Sequence, residues 1–242
     1  MTSVLIEEVH ENVFQLASRR PSSHVYLIRA TAKLALIDTG LDSSFPDVTE
    51  AIRRLGLTPG DIQLVINTHE HSDHIGANKH FAGTSLIAAS RSAAAKIEQQ
   101  DEYVTMYGDI GADHHRTKPH IWLDGGAVFD LGNFHLAVTE TPGHTSGCIC
   151  LHDPLNRILF SGDTVFAEGT LSAIAPSGSA GDYAHSMERL SALKLDAIFP
   201  GHGRISREPD DDLQAALDNA RVKLQEATAK GGSDSWSEST PL

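Results

Sequence analysis

Asn67-Thr68-His69-Glu70-His71-Ser72-Asp73-His74, written NTHEHSDH, places four side chains that bind divalent transition metals within six positions. In a strand, alternate residues share a face, so His69, His71 and Asp73 can point together while His74 points away. A loop leaving a strand removes that restriction. The run Ile62-Gln63-Leu64-Val65-Ile66 just before it is apolar and β-branched, which predicts a short buried strand ending where the histidines begin. A solvated, His-rich turn is the competing reading. Four candidate ligands so close together favour a strand that empties a polar cluster into a cavity.

The same arrangement recurs along the chain. Leu34-Ala35-Leu36-Ile37 predicts a strand that ends in Asp38-Thr39-Gly40, where the acid either starts a turn or orients a metal-binding histidine from outside the ligand set. Phe134 to Thr139 runs into Thr141-Pro142-Gly143-His144. Arg157 to Phe160, hairpin partner of Cys148 to Leu151, runs into Ser161-Gly162-Asp163-Thr164. Ala197-Ile198-Phe199 runs into Pro200-Gly201-His202-Gly203.

Further strands are expected at Val13 to Leu16, Val25 to Ile28, Leu86 to Ala88 and Ala127 to Phe129. Helices are expected between Pro46 and Gly56, over Arg91 to Gln99, from Asp182 as N-cap through Tyr183, Met187 and Leu190, and over Glu208 to Lys230. Strand and helix alternate, giving an α/β chain. Residues 100–126, with Tyr103, Met106, Tyr107 and an exposed pair His114-His115, break the pattern and read as a substrate-covering segment, with a packed surface loop as the alternative. The Gly/Ser/Pro-rich segment 168–180 is expected to loop back over the site.

The 242 residues suffice for one domain, placed at 1–230, with 231–242 as a flexible C-terminal tail. With 40% hydrophobic and 21% charged residues the composition is that of a soluble globular protein. A net charge of -13 argues against nucleic acid as a partner, whose affinity comes largely from Lys and Arg. No apolar run approaches the ~20 residues that cross a bilayer, and acids stand where a signal peptide needs cations, so the expectation is no membrane partner and a cytoplasmic location. Cys148 and Cys150 read as small buried residues sharing a strand face.

Seven candidate ligands thus stand at strand ends: His69, His71, Asp73, His74, His144, Asp163 and His202. Zinc takes about four ligands, so this number suits two ions better than one. Asp163 is the natural bridge and would let the pair share a hydroxide.

At these residues the chain resembles the metallo-β-lactamase superfamily. HxHxDH is present as His69, His71, Asp73 and His74, and the later His, Asp and His are matched in order by His144, Asp163 and His202, in the contexts TPGHTSG, SGDT and PGHG. The resemblance runs from about Val13 to Arg204. It implies a four-layer αβ/βα sandwich with the site at one edge of two central sheets. It also implies one ion on His69, His71 and His144, another on Asp73, His74 and His202, with Asp163 between them. The resemblance makes Asp73 the catalytic residue, guiding the nucleophile or taking its proton; Asp38 stays the candidate outer partner of the ligands.

A bridging Asp163 makes the chain resemble the glyoxalase II, lactonase and nuclease branches more than the true β-lactamases. Only 40 residues follow His202, fewer than the substrate-binding helical domain of glyoxalase II needs, and the acidic charge disfavours a nuclease. Acyl-homoserine lactonases carry a tyrosine three residues after the bridging aspartate, where this chain has Phe166. Tyr103, Met106, Tyr107, Phe166 and Tyr183 are the candidate substrate contacts. The function expected is that of a hydrolase with two Zn(2+), Fe or Mn being the other candidates, cleaving an ester, lactone or thioester. The alternative is a persulfide dioxygenase with a single iron; β-lactam or phosphodiester cleavage ranks below both. The expected partner is a small-molecule substrate, and a homodimer is left open.

Overall fold

The computed structural model describes residues 5–17, 20–107 and 117–231. Its first sheet has seven strands in sequence order: β1 (Leu5–His10), β2 (Val13–Ala17), β3 (Val25–Arg29), β4 (Leu34–Ile37), β5 (Leu64–Ile66), β6 (Leu86–Ser90) and β7 (Ile121–Leu123). β1 to β4 form an antiparallel meander, and β4 to β7 pair in parallel. The second sheet comprises β8 (Val128–Asp130), β9 (His135–Glu140), β10 (Ile149–Asp153), β11 (Ile158–Gly162) and β12 (Ala197–Pro200), in the order β12-β11-β10-β9-β8. Its β11–β12 pair is parallel.

The parallel strands β4, β5, β11 and β12 are buried on both faces, which is why they read as near-continuous apolar runs. In β4, Ala35 and Ile37 face the second sheet, where Phe134, Leu136, Phe160 and Phe199 meet them. Leu36 faces outward onto α1 (Phe45–Arg54), against Val48, Ala51 and Ile52. On the far side of the second sheet, Leu159 and Ile198 pack under α5 (Ala180–Leu190) and α6 (Pro209–Gly231), which supply Tyr183, Met187, Leu213 and Ala216. The layers are therefore helix, sheet, sheet, helix, the expected four-layer αβ/βα sandwich. Tyr26 on β3 ties the sheets polar-to-polar, donating its hydroxyl to the Pro200 carbonyl at 2.7 Å.

The structure differs from the sequence reading at several places. β1 had no counterpart there: Glu7 and Glu8 interrupt its apolar pattern, and pairing with β2 supplies what the pattern lacks. β5 begins at Leu64 rather than Ile62. A short helix, α2 (Ser72–Ile75), starts inside NTHEHSDH, so Asp73 and His74 lie on a helical turn rather than in a loop. Residues 108–116 of segment 100–126 lie outside the described residues; the rest of it contains α4 (Glu102–Thr105) and the edge strand β7, which the sequence reading did not expect. The N-cap of α5 is Ser179, whose Oγ accepts from the Asp182 N–H at 3.3 Å, so Asp182 sits inside the first turn. Arg91–Gln99 is a helix, α3, as read. His114-His115 and the tail beyond Gly231 lie outside the described residues. Among the described residues no helix is long and apolar enough to cross a membrane.

Candidate metal centre

The site lies where strand ends of both sheets meet. β4 stops at Ile37, and Asp38 takes a left-handed conformation (φ 58°) that other structure must over-determine. Its carboxylate does so by accepting from the Thr68 N–H at 2.8 Å, the Thr68 hydroxyl at 2.7 Å and His74 Nδ1 at 2.8 Å. A carboxylate accepts only, so the His74 proton that stays when an ion binds is the one on Nδ1, and Nε2 is the atom turned to the site. The Thr68 hydroxyl has spent its one hydrogen on Asp38 and so accepts from His69 Nδ1, 3.2 Å away, which frees His69 Nε2 in the same way. His144 Nδ1 donates to the Ala173 carbonyl at 2.5 Å, again leaving Nε2 as the acceptor. One aspartate, one threonine and one backbone carbonyl thus fix three imidazoles in the tautomer that binds metal.

The ligand atoms gather into overlapping groups within 4.8 Å: His69, His71 and His144; Asp73, His74 and His202; and His69, His74 and Asp163. His71 Nδ1 lies 3.0 Å from His144 Nε2, near the ~3.3 Å that separates two ligands on one tetrahedral ion with ~2.05 Å bonds. His202 Nε2 lies 3.0 Å from Asp73 Oδ2. Asp163 reaches both sides. Its Oδ1 is 3.3 Å from His74 Nε2 and 3.7 Å from His202 Nε2, whereas its Oδ2 is 3.9 Å from His144 Nε2.

Several of these buried atoms, His69 Nε2, His74 Nε2 and Asp163 Oδ1, make no hydrogen bond, a costly state unless something else is held there. Their chemistry, imidazole nitrogen and carboxylate oxygen, is that of a zinc or iron donor set, so the residues fit divalent ions. Gly201 leaves the space: a Cβ there would come within 2.5 Å of Asp163 Oδ1 and 2.6 Å of His74 Cε1.

Electrostatics divide the centre. Burial, reinforced by neighbouring imidazoles, pushes His69 well below its ordinary value and His71 down to about 3, so both stay neutral. Burial acts on His74 in the same direction, but Asp163, Asp73 and Asp38 outweigh it and hold His74 well above its ordinary value. Burial would raise Asp73 and Asp163; His74 and His202 overcome it and keep both carboxylates ionised. This side of the centre therefore demands positive charge.

The remaining expected residues fall unevenly. Phe166 lies beside His202 in a cleft at the mouth of the site. Tyr103 is 75% exposed on α4, away from the cluster's hydrogen bonds. Met106 reaches the site's edge through its carbonyl, which accepts from Ser72 Oγ at 3.3 Å. Tyr107 packs against the Ile75, Ala94 and Ile97 cluster. Tyr183 was expected to touch substrate, yet it is fully buried and its hydroxyl donates to the Thr164 carbonyl at 2.6 Å while accepting from the Ser172 N–H at 3.1 Å. It braces the Asp163 loop from behind. Cys148 precedes β10 rather than sharing a strand face with Cys150; both are buried, and burial pushes the Cys150 thiol up to about 11.

Segment 168–180 does fold over the site, through Ala173 on His144 and Ser172 Oγ, 3.4 Å from Asp163 Oδ2. Sequence reasoning missed Glu70. Fully buried between two histidines, it pairs with Lys96 of α3 at 2.7 Å and accepts from Thr145 Oγ1 at 3.0 Å, joining the His71 and His144 loops. A charged residue inside a strand-end cluster was the available signal, but its partner lies on a different element.

Comparison with known proteins agrees with this geometry. The family model described as Metallo-beta-lactamase superfamily matches residues 19–202. Among curated relatives, the acyl-coenzyme A thioesterase MBLAC2 of Gallus gallus is 31% identical over 215 residues, covering 80% of this chain and 76% of its own. The hydroxyacylglutathione hydrolase of Rhizobium meliloti is 31% identical over 197 residues, covering 76% of this chain and 66% of its own. Among solved structures, a subclass B3 metallo-beta-lactamase of Bradyrhizobium japonicum superposes with a TM-score of 0.75 at 20% identity, over 94% of this chain and 95% of that one, a likeness of fold.

Proposed function

Since the chain belongs to the metallo-beta-lactamase superfamily and is a metal-dependent hydrolase, we propose that it holds two zinc ions and cleaves a small carbonyl substrate, a thioester before an ester or lactone. One observation carries the dinuclear reading: Asp163 turns one oxygen to His74 and His202 and the other to His144. His69, His71 and His144 would hold one ion, and Asp73, His74 and His202 the other, with Asp163 shared. The thioester preference rests on the two hydrolases above, whose names describe thioester substrates.

Bound divalent ions supply a Lewis acid for the carbonyl and bring the pKa of water toward neutrality. The protein's own residues do the rest. Asp73 is ionised, its side chain 24% exposed, and it stands at the mouth where a nucleophilic water must enter, so its carboxylate orients that water and takes its proton. Asp38 keeps the His74 ring from turning, and Ala173 does the same for His144. The lid segment 168–180 and the buried Glu70–Lys96 pair shield the histidine side from bulk water.

Metal analysis and a substrate panel test this reading. About two zinc per chain, with turnover of acyl thioesters and no oxygen uptake on persulfide, is the expected result. One iron per chain with oxygen consumption would replace it by the dioxygenase reading, and turnover confined to phosphodiesters or β-lactams would move the substrate class.

A further inference from the structure

We propose that the cleft beside His202 recognises an anionic group, a carboxylate or a phosphate, carried by the substrate, and that Arg20 is the residue that binds it. This rests on the carbonyl-hydrolase reading above and gives its substrate a charge.

The site opens on one side only as far as its ligands show. The side chains of His69 and His74 are closed off, whereas His202 is 21% and Asp73 24% exposed. On that open side lies a cleft of about 340 Å³ whose lining includes Arg20, Phe166, Glu168, Thr170, His202 and Arg204, large enough for part of a small ligand. Phe166 gives the cleft an apolar wall, and Arg20, Glu168 and Arg204 give it charge.

That charge is unbalanced. Arg204 is spent on Glu168, Nη2 to Oε1 at 2.8 Å, a pair that contributes no net charge to the cleft. Arg20 has no hydrogen-bond or ion-pair partner among the described residues. On a chain with 32 acids and 19 Lys and Arg, a guanidinium left without a carboxylate beside the reaction centre is a place where a negative group is drawn in and oriented.

The position of Arg20 is also set by the centre itself. The turn that carries it runs directly into Ser23, whose N–H donates to the Asp73 carbonyl at 3.1 Å, and His24, whose N–H donates to the Gly201 carbonyl at 2.7 Å. The His24 ring reaches the Gly203 carbonyl at 2.9 Å. The turn carrying Arg20 is thereby tied, through Ser23 and His24, to the backbone of the α2 turn at Asp73 and of the loop that carries His202. An anionic arm held there would extend along Phe166 with its carbonyl toward the metal groups. A carboxylate and a phosphate both answer to one guanidinium, and they are separable by experiment.

Acetyl thioesters of coenzyme A (phosphates), glutathione (carboxylates) and N-acetylcysteamine (neutral) would be compared on metal-replete wild-type protein, Arg20→Ala and Arg20→Lys. Calorimetry with the S-ethyl thioethers of coenzyme A and glutathione measures binding without turnover. The expected result is a loss of at least tenfold in kcat/KM, and in thioether affinity, for one of the two anionic arms in Arg20→Ala, partly restored by Arg20→Lys, with the neutral thioester unchanged. Which arm responds identifies phosphate or carboxylate. Equal losses on all three thioesters, no loss on any, or wild-type binding of neither thioether would each overturn the proposal. Should the wild type cleave no thioester, ester or lactone, the hydrolase reading fails, and the thioether titrations still decide the cleft.

Discussion

The two halves of the centre use similar residues toward opposite electrostatic ends. His69, His71 and His144 form an all-imidazole group whose titration is suppressed by burial, so that it offers neutral nitrogens. Asp73, His74 and His202, with Asp163, form a group with two carboxylates in which His74 attracts a proton in spite of being buried. One half is prepared for a cation by keeping protons off, the other by concentrating negative charge. The second half also faces solvent and the Arg20 cleft, so chemistry and substrate entry fall on the same side.

Asp163→Ala removes the residue common to both halves and should have the largest effect. Turnover falls by about 10³-fold or more, beyond the ~10–100-fold that losing an outer partner of a ligand costs, and metal content drops in both halves. Full activity with two ions per chain would show that the halves are independent. Asp38→Asn weighs more on one half: one acceptor oxygen is left for Thr68 and the His74 ring together, so affinity for the second ion weakens by about 10–100-fold, while the first, reached only through the Thr68 hydroxyl and His69, weakens less. Competitive chelation should resolve two steps moving apart; a parallel shift of both would erase the distinction.

The pH dependence of the metal-free protein sharpens the contrast. His71, with a folded pKa of about 3 against an ordinary ~6.5, contributes stability that is full above pH ~6.5 and is lost as pH falls toward 3, and His69 has the same sign. His74 is raised, so its contribution is already full below pH ~6.5 and declines only as pH rises through its folded value. Urea unfolding of chelator-treated protein should therefore show stability decreasing from pH 6.5 to 5 by about 1.4 kcal/mol per pH unit per suppressed histidine. A gain on acidification would mean that the all-imidazole group takes up protons. The smallest effect expected is that of Phe166→Tyr, which adds a hydroxyl at the cleft wall. Lactone turnover should rise by about 2–10-fold, the value of one hydrogen bond, with metal content unchanged. A change in metal stoichiometry would place Phe166 against the ions.

Legibility in the sequence followed how local each signal was. Ligands at strand ends were readable because a few apolar residues followed by Gly, His or Asp announce the change of element, as at Phe160 to Asp163 and Phe199 to His202. Asp38 was readable as a choice of two roles, and the hydrogen bonds to Thr68 and His74 made it an outer partner. Residues acting through a distant partner were not readable. Glu70 meets Lys96 and Thr145, Ala173 serves by its carbonyl, and Tyr183 looked like a substrate contact because nothing in its neighbours tells that its hydroxyl is taken by backbone at Thr164 and Ser172. Edge strands β1 and β7 depend on pairing more than on pattern, so their short or charged sequences understate them.

Each half of the centre draws on both sheets: His69 and His71 come from the first and His144 from the second, as do Asp73 and His74 with His202. A bound ion would therefore rivet two layers that otherwise adhere through side-chain packing and a few hydrogen bonds, among them those of Tyr26, Glu70 and His24. Metal affinity then becomes mechanical coupling, worth about 4 kcal/mol per site at a free ion concentration a thousandfold above Kd. Stripped of ions, the sandwich keeps its filling and loses its clasp, so that the edge which performs the chemistry is also the edge along which the molecule would first come apart.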